Sequence, residues 1–123
     1  MILTGYQLDF RPYYARLTGL VHASLQPEPF GLTIIEAMAA GVPVVAARGG
    51  GPAEIVDEGI DGLLHTAGNV DELRAAMTLL LDDGARRRSM IEAGRRKVEA
   101  RYRPASMMRT IEAVYDELLK EAA

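Results

Sequence analysis

One uncharged run and the glycine cluster after it constrain the fold of this chain more than any other feature. The run Pro43-Val-Val-Ala-Ala47 has no alternation of polar and apolar residues, which is typical of a strand buried on both faces of a parallel sheet. Gly49, Gly50 and Gly51 end the run, and Pro52 suits the first turn of a following helix. The pattern predicts a central strand that leads into a tight turn and a helix.

The N-terminal half of the chain, as far as Thr66, alternates strand and helix patterns. Further strands are predicted over Ile2–Tyr6, Leu20–Leu25 and Gly62–Thr66, and helices over Phe10–Thr18, Phe30–Ala40 and Pro52–Glu58. Gly41 follows the second of these helices at a position that favours left-handed backbone. Short turns between alternating elements predict an α/β fold, with a partial Rossmann-like parallel sheet of about four strands and flanking helices.

The rest of the chain, from about residue 70 to residue 123, is predicted to be helical. Asn69 and Glu72 form a start resembling a capping box. A basic helix over about Ala85–Tyr102 carries seven Arg or Lys residues, and Pro104 begins a last helix with apolar residues at helical spacing. The adjacent residues Met107 and Met108 are predicted to be core. Residues 1–123 are therefore expected to form a single domain.

Composition excludes several functions. The chain has no cysteine, which excludes disulfides, thiol catalysis and cysteine-bound metal, and fits a reducing compartment. Its net charge of -3 gives no electrostatic reason to expect nucleic acid as a partner. The longest uncharged apolar run, Ala37–Ala47, is interrupted by Gly41 and Pro43 and is shorter than the roughly 20 residues of a membrane span.

Two glutamates eight positions apart flank the start of the helix predicted over Phe30–Ala40. Pro27 and Pro29 hold Glu28 in a stiff extended segment, and Gly31 leaves the helix start open to a ligand. The backbone N–H groups there could bind an anion. Glu36 lies among apolar residues and so needs a partner, which vicinal hydroxyl groups would supply. Taken alone, Glu36 is equally well explained as a solvated helix residue, and Glu28 is better explained as a surface loop charge.

These residues lie in a longer string, Val21-His-Ala-Ser-Leu-Gln-Pro-Glu-Pro-Phe-Gly-Leu-Thr-Ile-Ile-Glu-Ala-Met-Ala-Ala-Gly-Val-Pro-Val-Val-Ala47, followed by Gly49–Glu54 and Gly59–Leu64. The string resembles the donor-binding domain of family-four (group 1) retaining glycosyltransferases, which is the C-terminal half of the GT-B fold. The resemblance runs through most of the chain, and two glutamates separated by seven residues with Phe-Gly between them are its most specific element.

The resemblance implies a role for each motif residue. Glu28 is implied to contact hydroxyl groups of the donor sugar at the reacting centre, as the catalytic residue, and Glu36 to bind the ribose hydroxyls. Backbone amides of Phe30, Gly31, Leu32 and Thr33 would meet the sugar and diphosphate, and Gly49 and Gly50 would shape the cleft edge. The implied reaction transfers a hexose from a nucleoside-diphosphate sugar to an acceptor hydroxyl with retention, in polysaccharide or glycolipid synthesis. It needs neither metal nor cofactor.

The family pattern also implies parts outside this sequence. Two further βα units, an Arg and a Lys that neutralise the diphosphate, and an acceptor-binding N-terminal domain are expected, whereas Arg48 is the one cation of the motif region. We therefore expect a truncated domain, inactive until an N-terminal acceptor domain or a second copy pairs at its exposed sheet edge. The alternative is a non-catalytic nucleotide-sugar-binding or assembly module. The expected location is cytoplasmic, with peripheral association at the inner membrane surface left open.

Three weaker patterns each allow a functional interpretation. Gly49-x-Gly51 lacks the third glycine of a dinucleotide-binding motif. The arginines of the basic helix could form a membrane or nucleic-acid patch, but the interleaved Glu92 and Glu99 favour a solvated face. His22 and His65 are expected to be packing or strand-end residues, since no third ligand has the spacing of a metal site.

Overall fold

A three-stranded parallel sheet lies at the centre of the computed structural model, which describes residues 1–121. The strands are β1 (Leu20–His22), β2 (Val44–Arg48) and β3 (Leu63–Thr66), in the spatial order β1-β2-β3. The helices are α1 (Arg11–Tyr14), α2 (Leu32–Ala40), α3 (Gly51–Ile55), α4 (Val70–Asp82), α5 (Gly84–Lys97) and α6 (Pro104–Glu121), with a π-helix (Val98–Tyr102) between the last two. The predicted α/β fold with a parallel sheet and flanking helices is confirmed.

The estimate of about four strands is wrong by one. Residues Ile2–Tyr6 form no strand, and Ile2, Leu3 and Tyr6 are all highly exposed. A strand needs a neighbour to pair its backbone N–H and C=O groups, and the neighbour of Leu20–His22 within the described residues is β2 alone. Among these residues, β1 therefore keeps one edge unpaired, and Ile2–Tyr6, despite its strand composition, does not add to it.

The central strand is buried on both faces, as predicted. Val44 is 0% exposed and packs in a cluster with α2 and α3, including Ile34 and Met38. Val45 is 1% exposed and packs on the opposite face with Leu80 of α4 and other residues of that cluster. The core therefore forms two layers, one on each side of β2, which fixes the carboxyl edge of the sheet relative to α2.

Two helix ends form as the sequence predicts. Gly41 ends α2 in left-handed backbone, with φ of 77°. The Asn69 side chain accepts hydrogen bonds from the N–H groups of Asp71 and Glu72 at 3.2 and 3.1 Å, and its amide donates to the Glu72 carboxylate at 2.8 Å. Both ends thus satisfy backbone groups that a helix terminus leaves free.

Two cations of α5 are bound at the ends of other helices. Arg87 donates to the carbonyl oxygens of Leu80 and Leu81 at 3.1 and 3.0 Å, at the end of α4. Arg95 donates to the carbonyl oxygen of Ala40 at 3.1 Å, at the end of α2. Cations are favoured at helix C-termini, where carbonyl groups are unpaired and the helix dipole is negative. Arg87 is half-buried by its contact, so the predicted solvated face is wrong there, whereas Arg95 stays exposed as predicted.

A third α5 cation, Lys97, is buried in an ion cluster. Its ammonium group donates to the carbonyl oxygen of Ile55 at 2.7 Å, lies 2.8 Å from Asp57 and pairs with the fully buried carboxylate of Asp61. The hydrogen bond from Lys97 lowers the pKa of the Asp57 carboxyl. The cluster fastens α5 to the turn between α3 and β3. The remaining arginines of α5, Arg86, Arg88 and Arg96, are exposed as predicted.

The last helix, α6, leaves its apolar side exposed. The predicted core residues Met107 and Met108 are 44% and 54% exposed, so that prediction is wrong. The helix packs against the π-helix rather than against the sheet. Its apolar residues therefore lie outside the hydrophobic core. Across the described part of the chain, each helix is too short or too polar to cross a bilayer.

Candidate functional site

The loop that carries Glu28 and the loop of glycines meet at the carboxyl edge of the sheet. Glu28 and Gly50 form an isolated parallel bridge, and the N–H of Gly51 donates to the carbonyl oxygen of Glu28 at 2.8 Å. β1 leads into the first loop and β2 into the second, so the parallel register of the two strands sets this contact.

Glycine is required where these loops touch. A Cβ atom on Gly50 would lie 2.3 Å from the carbonyl oxygen of Glu28, and one on Gly51 would lie 2.0 Å from that of Phe30. Gly49, by contrast, would place a Cβ atom 4.0 Å from Pro27. The sequence assigned Gly49 and Gly50 to the cleft edge and missed Gly51. The residues in close backbone contact with the loop that carries Glu28 are Gly50 and Gly51.

The start of α2 presents free backbone donors beside this contact. Gly31 is the N-cap residue, with φ of 96°, and its N–H donates to Oε1 of Glu28 at 3.2 Å. Within residues 1–121 the N–H groups of Leu32 and Thr33 have no acceptor. Both residues are exposed, and so is Phe30. Two adjacent free N–H groups at the positive end of a helix favour an anionic ligand.

Glu28 lies half-buried in the loop between β1 and α2. Its second carboxylate oxygen, Oε2, is 3.9 Å from Nε2 of His22, the last residue of β1. Both side chains line a cavity of ≈ 50 Å³, together with Ser24 and Arg48. The sequence predicted that His22 is a packing or strand-end residue, and it ends β1, but the sequence gave no signal that its ring would face Glu28.

Glu36 lies on the second turn of α2, where it is exposed rather than enclosed by its apolar neighbours, so the expectation that burial forces it to have a partner is wrong. The buried hydroxyl of Tyr14, from α1, donates to Oε2 of Glu36 at 2.9 Å. Burial, and then this hydrogen bond, raise the pKa of Tyr14 to about 12, so the phenol stays protonated and remains a donor. The sequence pattern gave no sign of this contact.

Glu36 and Tyr14 line a second and larger cleft. Its volume is ≈ 650 Å³, and its walls include Phe10, Arg11 and Ala39. Glu28 is not part of this cleft, and Glu36 is not part of the small cavity beside Glu28. The two glutamates therefore occupy separate subsites, with the free N–H groups of α2 between them in the sequence.

The cation of the motif region is already paired. Arg48, at the end of β2, lies 3.4 Å from Oε2 of Glu58, and the same oxygen accepts the N–H of Leu64 at 2.7 Å. Among the described residues, His, Asp and Glu side chains form no group of three suited to a metal ion. The side chains of the site offer carboxylates and hydrogen-bond donors.

Known proteins are similar to this chain in sequence and in fold. The family model described as glycosyl transferases group 1 matches residues 1–97. The GDP-mannose-dependent monoacylated alpha-(1-6)-phosphatidylinositol monomannoside mannosyltransferase of Corynebacterium glutamicum is 42% identical over 102 residues, which is 83% of this chain and 26% of that protein. The chain spans about a quarter of the length of the curated relatives it matches first.

A solved structure with a bound nucleotide has the same fold. Anabaena Alr3699/HepE in complex with UDP superposes with a TM-score of 0.87 at 30% identity, covering 93% of this chain and 31% of that one. The same protein in complex with UDP-glucose gives a TM-score of 0.84 at 29% identity, over 91% and 31% of the two chains. The shared fold therefore extends over nearly the whole of this chain.

Proposed function

The chain belongs to the group 1 glycosyl transferases, and we propose that it binds a nucleoside-diphosphate sugar for retaining hexosyl transfer to an acceptor hydroxyl in polysaccharide or glycolipid synthesis. Its parallel sheet and helices form a partial GT-B fold of the C-terminal type. The observation that carries the proposal is the pair of free N–H groups at the start of α2, with a carboxylate subsite on either side.

The diphosphate binds at the start of α2 in this proposal. The N–H groups of Leu32 and Thr33 have no acceptor among the described residues, and Gly31 carries no side chain that would keep a phosphate away. Each nearby negative charge gains roughly 0.3 to 1 kcal/mol from the helix dipole at an exposed site. The UDP complexes of the structural neighbour support a diphosphate ligand for this fold.

The nucleoside binds in the larger cleft, with its ribose at Glu36. Oε2 of Glu36 accepts from Tyr14, and a carboxylate has lone pairs left on both oxygens for vicinal hydroxyl groups. The cleft of ≈ 650 Å³ next to Glu36 has room for a nucleoside. Tyr14 holds the carboxylate in place before the ligand arrives, which reduces the entropy lost on binding.

The sugar binds on the Glu28 side, where Glu28 is the catalytic residue in contact with the donor sugar. Oε1 of Glu28 is held by the N–H of Gly31, and Oε2 is left to meet a sugar hydroxyl. Glu28, the Phe30–Thr33 backbone and the glycine turn at Gly49 and Gly50 then enclose the donor from three sides. The proposed transfer uses neither a metal nor a cofactor.

Transfer itself requires a complementary polypeptide. The departing diphosphate develops negative charge that cations must stabilise, whereas Arg48 is engaged with Glu58. β1 forms one edge of the sheet, and unpaired edges invite pairing. We propose that an acceptor-binding N-terminal domain or a second copy supplies the missing cations at this side. The protein would act in the cytoplasm. If its acceptors lie at the inner membrane surface, the protein would associate with that membrane peripherally.

A non-catalytic role is the second candidate, and the pairing of Arg48 with Glu58 favours it. A chain that binds donor while Arg48 stays paired with Glu58 could store or present a nucleotide sugar, or serve in assembly. Both roles require donor binding, and turnover separates them. Addition of the complementary domain should produce transfer if the first role is correct.

Calorimetric titration of the chain with UDP, GDP and ADP tests donor binding. We expect one of these nucleotides to bind and its affinity to fall at least 10-fold in Glu36→Ala, which removes the acceptor for ribose. Glu112→Ala, on the exposed surface of α6, should leave the affinity unchanged. Radiolabelled nucleotide sugars then test turnover, and transfer by the chain alone would disprove the need for a complementary half.

A further inference from the structure

We propose that His22 and Glu28 bind one hydroxyl group of the donor sugar between them, so that His22 is a specificity-determining residue of the donor site. This inference rests on the proposed function. It adds a side chain that the motif does not contain and assigns a chemical role to a histidine that a packing interpretation leaves unexplained.

The position of His22 suits this role. It is the last residue of β1 and lies in register with Ala46, whose side chain belongs to the cluster on the α2 face of the sheet. His22 therefore points to the same face as α2, at the carboxyl edge. Its side chain is 18% exposed, so part of the ring remains open to a ligand.

The separation of the two side chains fits a bridging oxygen. Nε2 of His22 and Oε2 of Glu28 are 3.9 Å apart, which is too far for a direct hydrogen bond. A hydroxyl oxygen can lie about 2.8 Å from each of two atoms at that separation. Glu28 keeps Oε2 for this contact because its Oε1 accepts the N–H of Gly31.

The donors and acceptors are complementary to a hydroxyl group. Nδ1 of His22 is buried and has no hydrogen-bond partner within the described residues. A hydrogen on Nδ1 would therefore be buried without an acceptor, which favours the tautomer that carries its hydrogen on Nε2, beside the cavity. A hydroxyl would then accept from Nε2–H and donate to the Glu28 carboxylate. A hydroxyl satisfies both groups at once, whereas an aliphatic carbon satisfies neither.

The cavity between the side chains has room for a small polar group. Its volume is ≈ 50 Å³, which exceeds the roughly 10 to 15 Å³ that one water molecule needs and so admits a hydroxyl group. Ser24, on the same wall, already donates to the carbonyl oxygen of Gln26 at 2.7 Å. The ring of the sugar would remain outside, and one hydroxyl would enter between His22 and Glu28.

The test compares the affinity for a nucleotide sugar with that for its nucleotide. Calorimetry gives the ratio Kd(UDP)/Kd(UDP-glucose), and likewise for GDP and GDP-mannose if guanosine is the preferred base. We expect His22→Leu to lower this ratio about 5-fold, the effect of one lost hydrogen bond, and to leave the nucleotide Kd unchanged. His22→Asn, which keeps an N–H donor, should restore part of the ratio. Glu28→Ala combined with His22→Leu should lower it no further than Glu28→Ala alone.

A second measurement uses the unaltered chain and needs no variant to fold. The chain has two histidines, and His65 lies on the opposite face, in register with Ala47 and with Nδ1 against the Thr66 carbonyl oxygen. The imidazole ¹⁵N resonance of His22 should shift when UDP-glucose replaces UDP, while that of His65 should not. Equal shifts with both ligands, or an unchanged affinity ratio in His22→Leu, would overturn the inference.

The outcomes also separate the two proposals. If no nucleotide binds, or if Glu36→Ala has no effect, the proposed function is wrong and this inference falls with it. If the nucleotide binds through Glu36 but the sugar ratio is indifferent to His22, only the hydroxyl site is wrong. A fall in the ratio confined to His22 and Glu28 variants supports both.

Discussion

The hydroxyl of Tyr14 donates to Oε2 of Glu36 across 2.9 Å, and this contact joins α1 to the second turn of α2. Because the phenol orients the carboxylate, Tyr14→Phe should lower nucleotide affinity about 3- to 5-fold, roughly the effect of a hydrogen bond worth about 1 kcal/mol. Calorimetry measures the change. Tyr13→Phe alters a neighbouring, exposed phenol and should have no effect. Equal effects of the two substitutions would contradict the orienting role.

The same contact predicts a dependence of stability on alkaline pH. Burial and Glu36 raise the pKa of Tyr14 from 10.0 to about 12. A raised pKa in the folded state means that the contribution of the phenol is fully present below pH 10 and is lost as the pH rises toward 12. Urea unfolding at a series of pH values should show this loss. In Tyr14→Phe that part of the pH dependence should disappear.

The sequence predicted those elements whose signals are local. The run Pro43–Ala47 has no charge and no alternation, so its burial on both faces could be inferred, and β2 is buried on both faces. The cap of Asn69 and the left-handed Gly41 depend on residues within one turn of the helix. Such features need no knowledge of the remaining fold.

Features that depend on distant residues could not be predicted. Ile2–Tyr6 has strand composition, but it pairs with neither edge of the described sheet, and its local pattern carries no information about such pairing. Tyr14 is 22 residues from Glu36 in the chain, and the residues around Tyr14 do not predict the contact. The glutamate motif was assigned through family resemblance, whereas the neighbours of its carboxylates, Tyr14 and His22, were seen only in the structure.

The buried ion cluster of Lys97 predicts a large loss of stability when the lysine is removed. In Lys97→Met the carboxylate of Asp61 would stay buried without its partner, and breaking such a pair costs about 3 to 5 kcal/mol. Arg96→Met, the neighbouring exposed cation, should change the free energy of unfolding by less than about 0.5 kcal/mol. Urea denaturation measures both changes.

The double variant Lys97→Met with Asp61→Asn tests the cause of that loss. Replacing the carboxylate with an amide removes the unpaired charge, so part of the stability should return. The N–H of Asp57 donates to Oδ1 of Asp61 at 2.9 Å, and the amide oxygen of the substituted side chain can still accept this bond. If the double variant is no more stable than Lys97→Met, lost packing rather than an unpaired charge is the reason.

The contact between the two loops predicts that Gly51→Ala disrupts the donor site. A Cβ atom there would lie 2.0 Å from the carbonyl oxygen of Phe30, so the loops must separate. We expect a destabilisation of roughly 1 to 3 kcal/mol, as for other overpacked sites, together with at least a 10-fold loss of nucleotide affinity, because the start of α2 moves with Phe30. Gly84→Ala is the matched control, since its Cβ atom would lie 3.7 Å from the flexible end of Arg88 and it begins α5. That control should keep full affinity. Normal binding by Gly51→Ala would show that the spacing of the two loops does not set the geometry of the site.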